Sequence, residues 1–241
     1  MDAVKVKAIK GRTPLRASAT IRSAQIQRGK SAGSLNFVYC PKIDKDIVFP
    51  SDLEFLHALH LEADERISGY ETDPDRLIED LGSDGYVGSK PDAITTARDG
   101  HLCMVEVKYA EDLADDLRAQ LQVQAQRQAA FQAGMDWRVY TDQEAQEEER
   151  LLNDWLHIIV ALGFCRGKVP KALIQHVKDL IQVRGRPSLQ EIQETQLDEW
   201  HLVFAAIFQQ IQKGVLCCDI TQYPLSRSTR VWLSVQSNKS L

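Results

Sequence analysis

Residues 89 to 108 constrain the fold of this chain more than any other stretch. They read Ser89-Lys90-Pro91-Asp92-Ala93-Ile94-Thr95-Thr96-Ala97, then Arg98-Asp99-Gly100, then His101-Leu102-Cys103-Met104-Val105-Glu106-Val107-Lys108. Asp-Gly between two apolar runs is the strongest short signal for a β-hairpin, because such turns need residues that accept positive φ. Side chains alternate faces along a strand. Glu106 and Lys108 are therefore expected on one face of the second strand, with Val105 and Val107 on the other.

The flanking segments supply helices. Ser51 follows Pro50 and is a good N-cap, and Leu53, Leu56, Leu59 and Leu61 give the helix after it apolar positions. Residues 69 to 88 are rich in turn formers and read as irregular. From Glu111 to Gln132 the spacing of Leu113, Leu117 and Leu121 predicts one helix, with acids in its first turn and Gly134 beyond its end. The glutamines between Gln120 and Gln128 fall in the helical period and read as a solvated face. Trp137 to Thr141 returns as a strand. Helix, strand, strand, helix, strand makes an α/β core with helices packed on a mixed sheet.

An acidic, Gln/Glu-rich stretch after Asp142 marks a boundary, dividing the chain into residues 1–147 and 148–241. Beyond it, Leu151, Leu152, Trp155, Ile158, Ile159 and Leu162 form an amphipathic helix, and Pro170 opens another. Ser188 and Glu191 make a capping box, and residues 197 to 213 give a longer helix closed by Gly214. Val215 to Ile220 and Arg230 to Val235 can pair as strands. Helices followed by such a pair form a winged-helix plan, an α-rich module that binds DNA or protein.

The 241 residues carry a net charge of −5, which argues against a general nucleic-acid coat. The charge is uneven, however. Lys5, Lys7, Lys10, Arg12, Arg16, Arg22, Arg28 and Lys30 crowd the N-terminus with almost no acid among them. Such an arm suits a local contact with a polyanion, and equally suits a solvated tail. Five cysteines without a C-x-x-C pair suggest neither a disulfide framework nor a zinc site, which fits a reducing cytoplasm. No apolar run approaches the roughly 20 residues needed to span a bilayer, and no signal peptide is visible, so a soluble intracellular protein is expected.

Asp92, Glu106 and Lys108 carry the chemistry. A carboxylate inside an apolar strand is costly unless a cation compensates it. Lys108 could be that cation in a plain structural ion pair. Three ionisable groups forced together where a core should be apolar point instead to function. Two carboxylates that hold a hard divalent cation, with an amine beside them, suit metal-assisted phosphodiester cleavage. Glu54, three residues after Ser51, reads first as the acid of a capping box, although it borders the buried stripe of its helix. His57 and His60, at i and i+3, lack a further ligand at metal-site spacing. No glycine-rich phosphate loop or Ser-His-Asp order is present.

Pro91-Asp92 followed by Glu106-Val107-Lys108 resembles the signature of the PD-(D/E)xK nucleases. Ser51-Asp52-Leu53-Glu54, Leu59-His60-Leu61-Glu62 and Trp137-Arg138-Val139-Tyr140-Thr141-Asp142-Gln143-Glu144 extend the likeness. Together, from about Phe49 to Glu144, they resemble the TnsA family, endonuclease subunits of heteromeric transposases that also use TnsB and TnsC. The resemblance implies a restriction-endonuclease-like α/β domain followed by a winged-helix domain, with Glu54, Asp92, Glu106 and Lys108 in the active-site positions. Glu54, Asp92 and Glu106 would hold Mg2+, for which Mn2+ would substitute, and Lys108 would orient the attacking water or neutralise charge. It further implies cutting of the 5′, non-transferred strand of double-stranded DNA at transposon ends, with a TnsB-type transposase and a TnsC-type AAA+ ATPase as partners in a bacterial cytoplasm. Lys7, Lys10, Arg12, Arg16, Arg22, Arg28 and Lys30, with Arg227 and Arg230 near the C-terminal strands, would contact phosphates. The same residues leave open a stand-alone restriction or repair nuclease, or a non-enzymatic winged-helix adaptor.

Overall fold

Gly100 adopts φ 88° in the turn after Ala97, and its N–H donates to the Ala97 carbonyl at 3.0 Å, closing the expected hairpin. The computed structural model describes residues 35–72, 74, 77–80, 86–195 and 199–235. Strands β3 (Ile67–Glu71), β6 (Ala93–Ala97), β7 (Leu102–Val107) and β8 (Asp136–Tyr140) form a four-stranded sheet in the order β3-β6-β7-β8. The first two pairings are antiparallel and β7–β8 is parallel. A parallel pair needs a crossover connection, and two helices supply it, α2 (Ala110–Asp115) and α3 (Leu117–Gln132).

The single helix expected from Glu111 to Gln132 is thus broken. Asp116 is extended, and its side chain accepts from the Arg118 N–H at 2.8 Å, so it caps α3. The leucine stripe is not the buried one either, since Leu117 is exposed. Ala119, Ala125, Gln126, Ala129 and Ala130 face inward instead. Small side chains let α3 lie close on the sheet, which the spacing of the leucines obscured.

The described residues between 69 and 89 also hold more regular structure than expected. They contain the end of β3 and an antiparallel pair, β4 (Leu77–Asp80) with β5 (Tyr86–Ser89), which lies against α3. Before the sheet, β1 (Asn36–Cys40) pairs with β2 (Lys45–Phe49). Ser51 then caps α1 (Asp52–Ala63), its Oγ accepting from the Glu54 N–H at 3.1 Å. The later helices are α4 (Asp142–Glu147), α5 (Glu149–Phe164), α6 (Lys171–Arg184), α7 (Leu189–Gln193) and α8 (Trp200–Gln212). Among the described residues the last elements are β9 (Leu216–Cys218) and β10 (Val231–Leu233), paired antiparallel, so the expected C-terminal strands do meet.

One buried apolar cluster joins Leu53 and Leu59 of α1, Ala93, Val105 and Val107 of the sheet, and Leu152, Trp155, Ile158 and Ile159 of α5. It continues into Ile181, Ile207 and Phe208. The division at residues 147/148 falls between α4 and α5, and the apolar packing runs across it without interruption. All five cysteines are free thiols. No helix among the described residues is long and apolar enough to cross a membrane.

Candidate active site

Period-two alternation sends Val105 and Val107 into the cluster with α1 and leaves Glu106 to face α3. Glu106 is fully buried. Its Oε1 accepts from Lys108 Nζ at 2.9 Å and from Gln122 Nε2 at 2.7 Å. Its Oε2 accepts from Gln126 Nε2 at 2.6 Å. The shared face of Glu106 and Lys108 is therefore present. Lys108 lies just past β7, with a quarter of its side chain exposed, so its ammonium joins the buried carboxylate to solvent.

Asp92 sits in the bend before β6. Its N–H donates to the Val105 carbonyl at 3.0 Å, and its Oδ2 accepts from the Val107 N–H at 2.8 Å. A side chain that takes the place of a backbone acceptor at the end of a strand pair is fixed by the sheet itself. Pro91, buried before it, has no N–H to satisfy there. Asp92 also lines one small pocket together with Glu54, His57 and Thr72.

Glu54 stays at the helix start, as the capping reading expects, and its side chain also reaches the pocket lined by Asp92. The Ser51 hydroxyl donates to Glu54 Oε1 at 3.2 Å, so the carboxylate is held at the helix start while it lines the pocket with Asp92. Asp92 links the groups: it shares the pocket with Glu54, and its charge acts on Glu106. Burial, above all, and then the Asp92 charge push the Glu106 carboxyl up to about 7, against the pull of Lys108 and the Gln126 amide. Like charges crowded in a dry place resist ionising together.

The two carboxylates bear on a metal. Among the described residues, no group of three or more His, Cys, Asp or Glu is arranged to hold one. Magnesium, however, keeps much of its water and is commonly bound by one or two carboxylates plus substrate phosphate oxygens. The Asp92 charge is felt at Glu106, and two carboxylates set near one another are oxygen donors of the kind that suits a hard divalent cation. His57 is buried, and burial holds its imidazole well below the usual range, while His60 Nδ1 lies 2.6 Å from Glu148 Oε2. Both histidines are accounted for by packing and pairing.

The solvated face expected for Gln120 to Gln128 is overturned at its centre. Gln126 is fully buried and Gln122 half-buried, and both serve Glu106. Their i, i+4 spacing, beside a helix face of alanines, was the available signal. Lys7, Lys10, Arg12, Arg16, Arg22, Arg28 and Lys30 lie outside the described residues. Arg227 is exposed, and Arg230 is exposed but engaged, 3.6 Å from Glu191 and donating to the Arg186 carbonyl at 2.9 Å. No protein-family model and no curated protein matches the chain.

Proposed function

We propose that this chain is a metal-dependent DNA endonuclease subunit of the TnsA type, which cuts the 5′ strand at transposon ends beside a TnsB-type transposase and a TnsC-type ATPase. The observation that carries the reading is the buried Glu106 carboxylate with the Lys108 ammonium at 2.9 Å and Asp92 as its charged neighbour. Those three residues stand at one end of a hairpin inside the sequence α1, β3, β6, β7, α3, β8. That order, with a mixed four-stranded sheet, supports a restriction-endonuclease-like core. The helices α5 to α8 followed by β9 and β10 support a winged-helix module for docking on DNA or partner protein.

Asp92 and Glu106, assisted by Glu54, would hold Mg2+, which supplies Lewis-acid polarisation of the scissile phosphate. Lys108 keeps its ammonium at the solvent end of the site, where it orients a water for attack and balances the negative charge that builds on the phosphate. Val105 and Val107, on the other face of the strand, fix the backbone from which both groups project. The N-terminal cations would hold the DNA backbone, and choice of sequence would fall to the transposase.

The test is a reconstituted cleavage reaction with Asp92→Ala. The variant should assemble with its partners and leave the 5′ strand uncut. Normal 5′ cutting by it would end the nuclease reading. Cutting of plain duplex DNA by the purified wild-type chain with Mg2+ would instead make it a stand-alone nuclease.

A further inference from the structure

We infer that Gln122 and Gln126 are positioning residues, a pair of amides that fixes the Glu106 carboxylate in the one orientation from which it can share a cation with Asp92. This inference rests on the nuclease reading and names the groups on which that site depends. Each glutamine sends an N–H to a different oxygen, Gln122 to Oε1 at 2.7 Å and Gln126 to Oε2 at 2.6 Å. Two donors on two oxygens define the plane of a carboxylate, which one donor cannot do.

The inner amide is itself oriented. Trp137 Nε1–H points at Gln126 Oε1 at 3.5 Å, so the amide oxygen faces the indole and its NH2 faces Glu106. A flipped amide would set oxygen against carboxylate and N–H against N–H. Trp137 stands on β8, opposite Met104 in the parallel pair, so sheet, indole, amide and carboxylate form one line of contacts. Oε1 has both lone-pair directions taken by Lys108 and Gln122. A carboxylate oxygen offers two such directions, and metal ligands are commonly oriented by outer hydrogen-bond partners of this kind.

Packing alone does not account for the arrangement. A leucine at 126 would fill the space against the sheet, whereas the buried amide is useful only to a polar neighbour. The pair also answers why a helix with so few large apolar residues is buried against the strand that carries Glu106.

The test compares Gln126→Met, Gln122→Met and Gln126→Glu with the wild type, the methionines keeping shape without the donor. Three quantities are measured: 5′-cleavage kcat, KM for end DNA, and the Mg2+ dissociation constant by calorimetry on the free protein. Losing a hydrogen bond to a charged group weakens a step by about tenfold or more, so each methionine variant should lose at least that much in kcat and bind Mg2+ more weakly, with KM for DNA little changed. Gln126→Glu should be the most damaging. Gln122 is half-buried, so its variant keeps the question answerable if a change at 126 disrupts folding. Unchanged kcat and Mg2+ affinity in folded Gln122→Met would overturn the positioning role while leaving the nuclease reading intact. Wild-type protein that neither cuts nor binds Mg2+ would overturn both.

Discussion

Arg98 and Gly214 meet across the molecule: a Cβ added to Gly214 would stand 2.9 Å from the Arg98 guanidinium carbon. Arg98 leaves the β6–β7 turn and donates through Nε to the Glu65 carbonyl and through Nη2 to the Gln212 carbonyl, both at 2.5 Å. It thereby ties the hairpin to the end of α8. Gly214 also holds φ 69°, which L side chains rarely adopt. Gly214→Ala should cost at least about 1 kcal/mol from backbone strain alone, with a further loss as the guanidinium is pushed from its carbonyls. Urea unfolding of Gly214→Ala, Arg98→Ala and the double variant should show that the two losses do not add. Additive losses would mean that the side chains do not collide.

A second expectation concerns protons. With Glu106 near 7, much of it carries a proton at pH 6, and a cation binding there must release it. Mg2+ affinity should therefore strengthen as pH rises from 6 to 8. Calorimetry in two buffers of different ionisation heat reads the released proton directly. Binding heats that do not depend on the buffer would show that the cation avoids Glu106.

Ser51 and Glu54 should separate under mutation. Ser51→Ala removes the acceptor for the Glu54 N–H and should cost about 1 kcal/mol of stability, as N-cap losses do. Glu54→Gln keeps an acceptor for the Ser51 hydroxyl, so its stability cost should stay within about 0.5 kcal/mol while 5′ cleavage falls. Thermal melts beside cleavage rates decide the matter. A large loss of stability with full cleavage in Glu54→Gln would make Glu54 a capping residue only.

Buried Glu62 and half-buried Lys42, away from the site, set a pH dependence of stability. Glu62 accepts from Tyr70 Oη at 2.7 Å, from Gln212 Nε2 at 2.5 Å and from the Lys42 N–H at 3.1 Å. Burial raises its carboxyl, so between the ordinary carboxylate range and its raised value the native state holds more proton than the unfolded chain. Stability from this group falls as pH rises through that interval. Lys42 behaves oppositely: burial lowers it from 10.5 to about 8, so the unfolded chain binds more proton between those values and stability rises with pH there. Denaturant midpoints from pH 4 to 10 should show both limbs, and Glu62→Gln should remove the acidic one. A persistent acidic fall in that variant would assign it to another carboxylate.

What the sequence made legible was local. Asp99-Gly100 announced its turn, and alternation placed Glu106 and Lys108 together, because both signals act within a few residues. Ser51 and Ser188 marked helix starts for the same reason, each side chain accepting from the N–H three residues on. The failures were tertiary. Gln126 reads as solvent-facing until α3 is known to lie on Glu106, and Leu117 reads as core until Ala119, Ala125 and Ala129 are seen to fill that place. Asp116 held a usable capping signal that the leucine spacing outweighed. The β4–β5 pair lacked strand-like periodicity clear enough to stand out among Gly, Asp and Pro.

The parallel joining of β7 to β8 has one more consequence. A hairpin formed by residues 93 to 107 alone leaves Glu106 bathed in water, an ordinary acid on an open ribbon. Only when the intervening helical segment folds back and β8 docks does that acid become dry, clamped and reluctant to ionise. The unusual chemistry of this position is therefore a product of the longest-reaching step in assembling the sheet, and a truncated or circularly cut chain that keeps the hairpin but severs the crossover would keep the residues and lose the site.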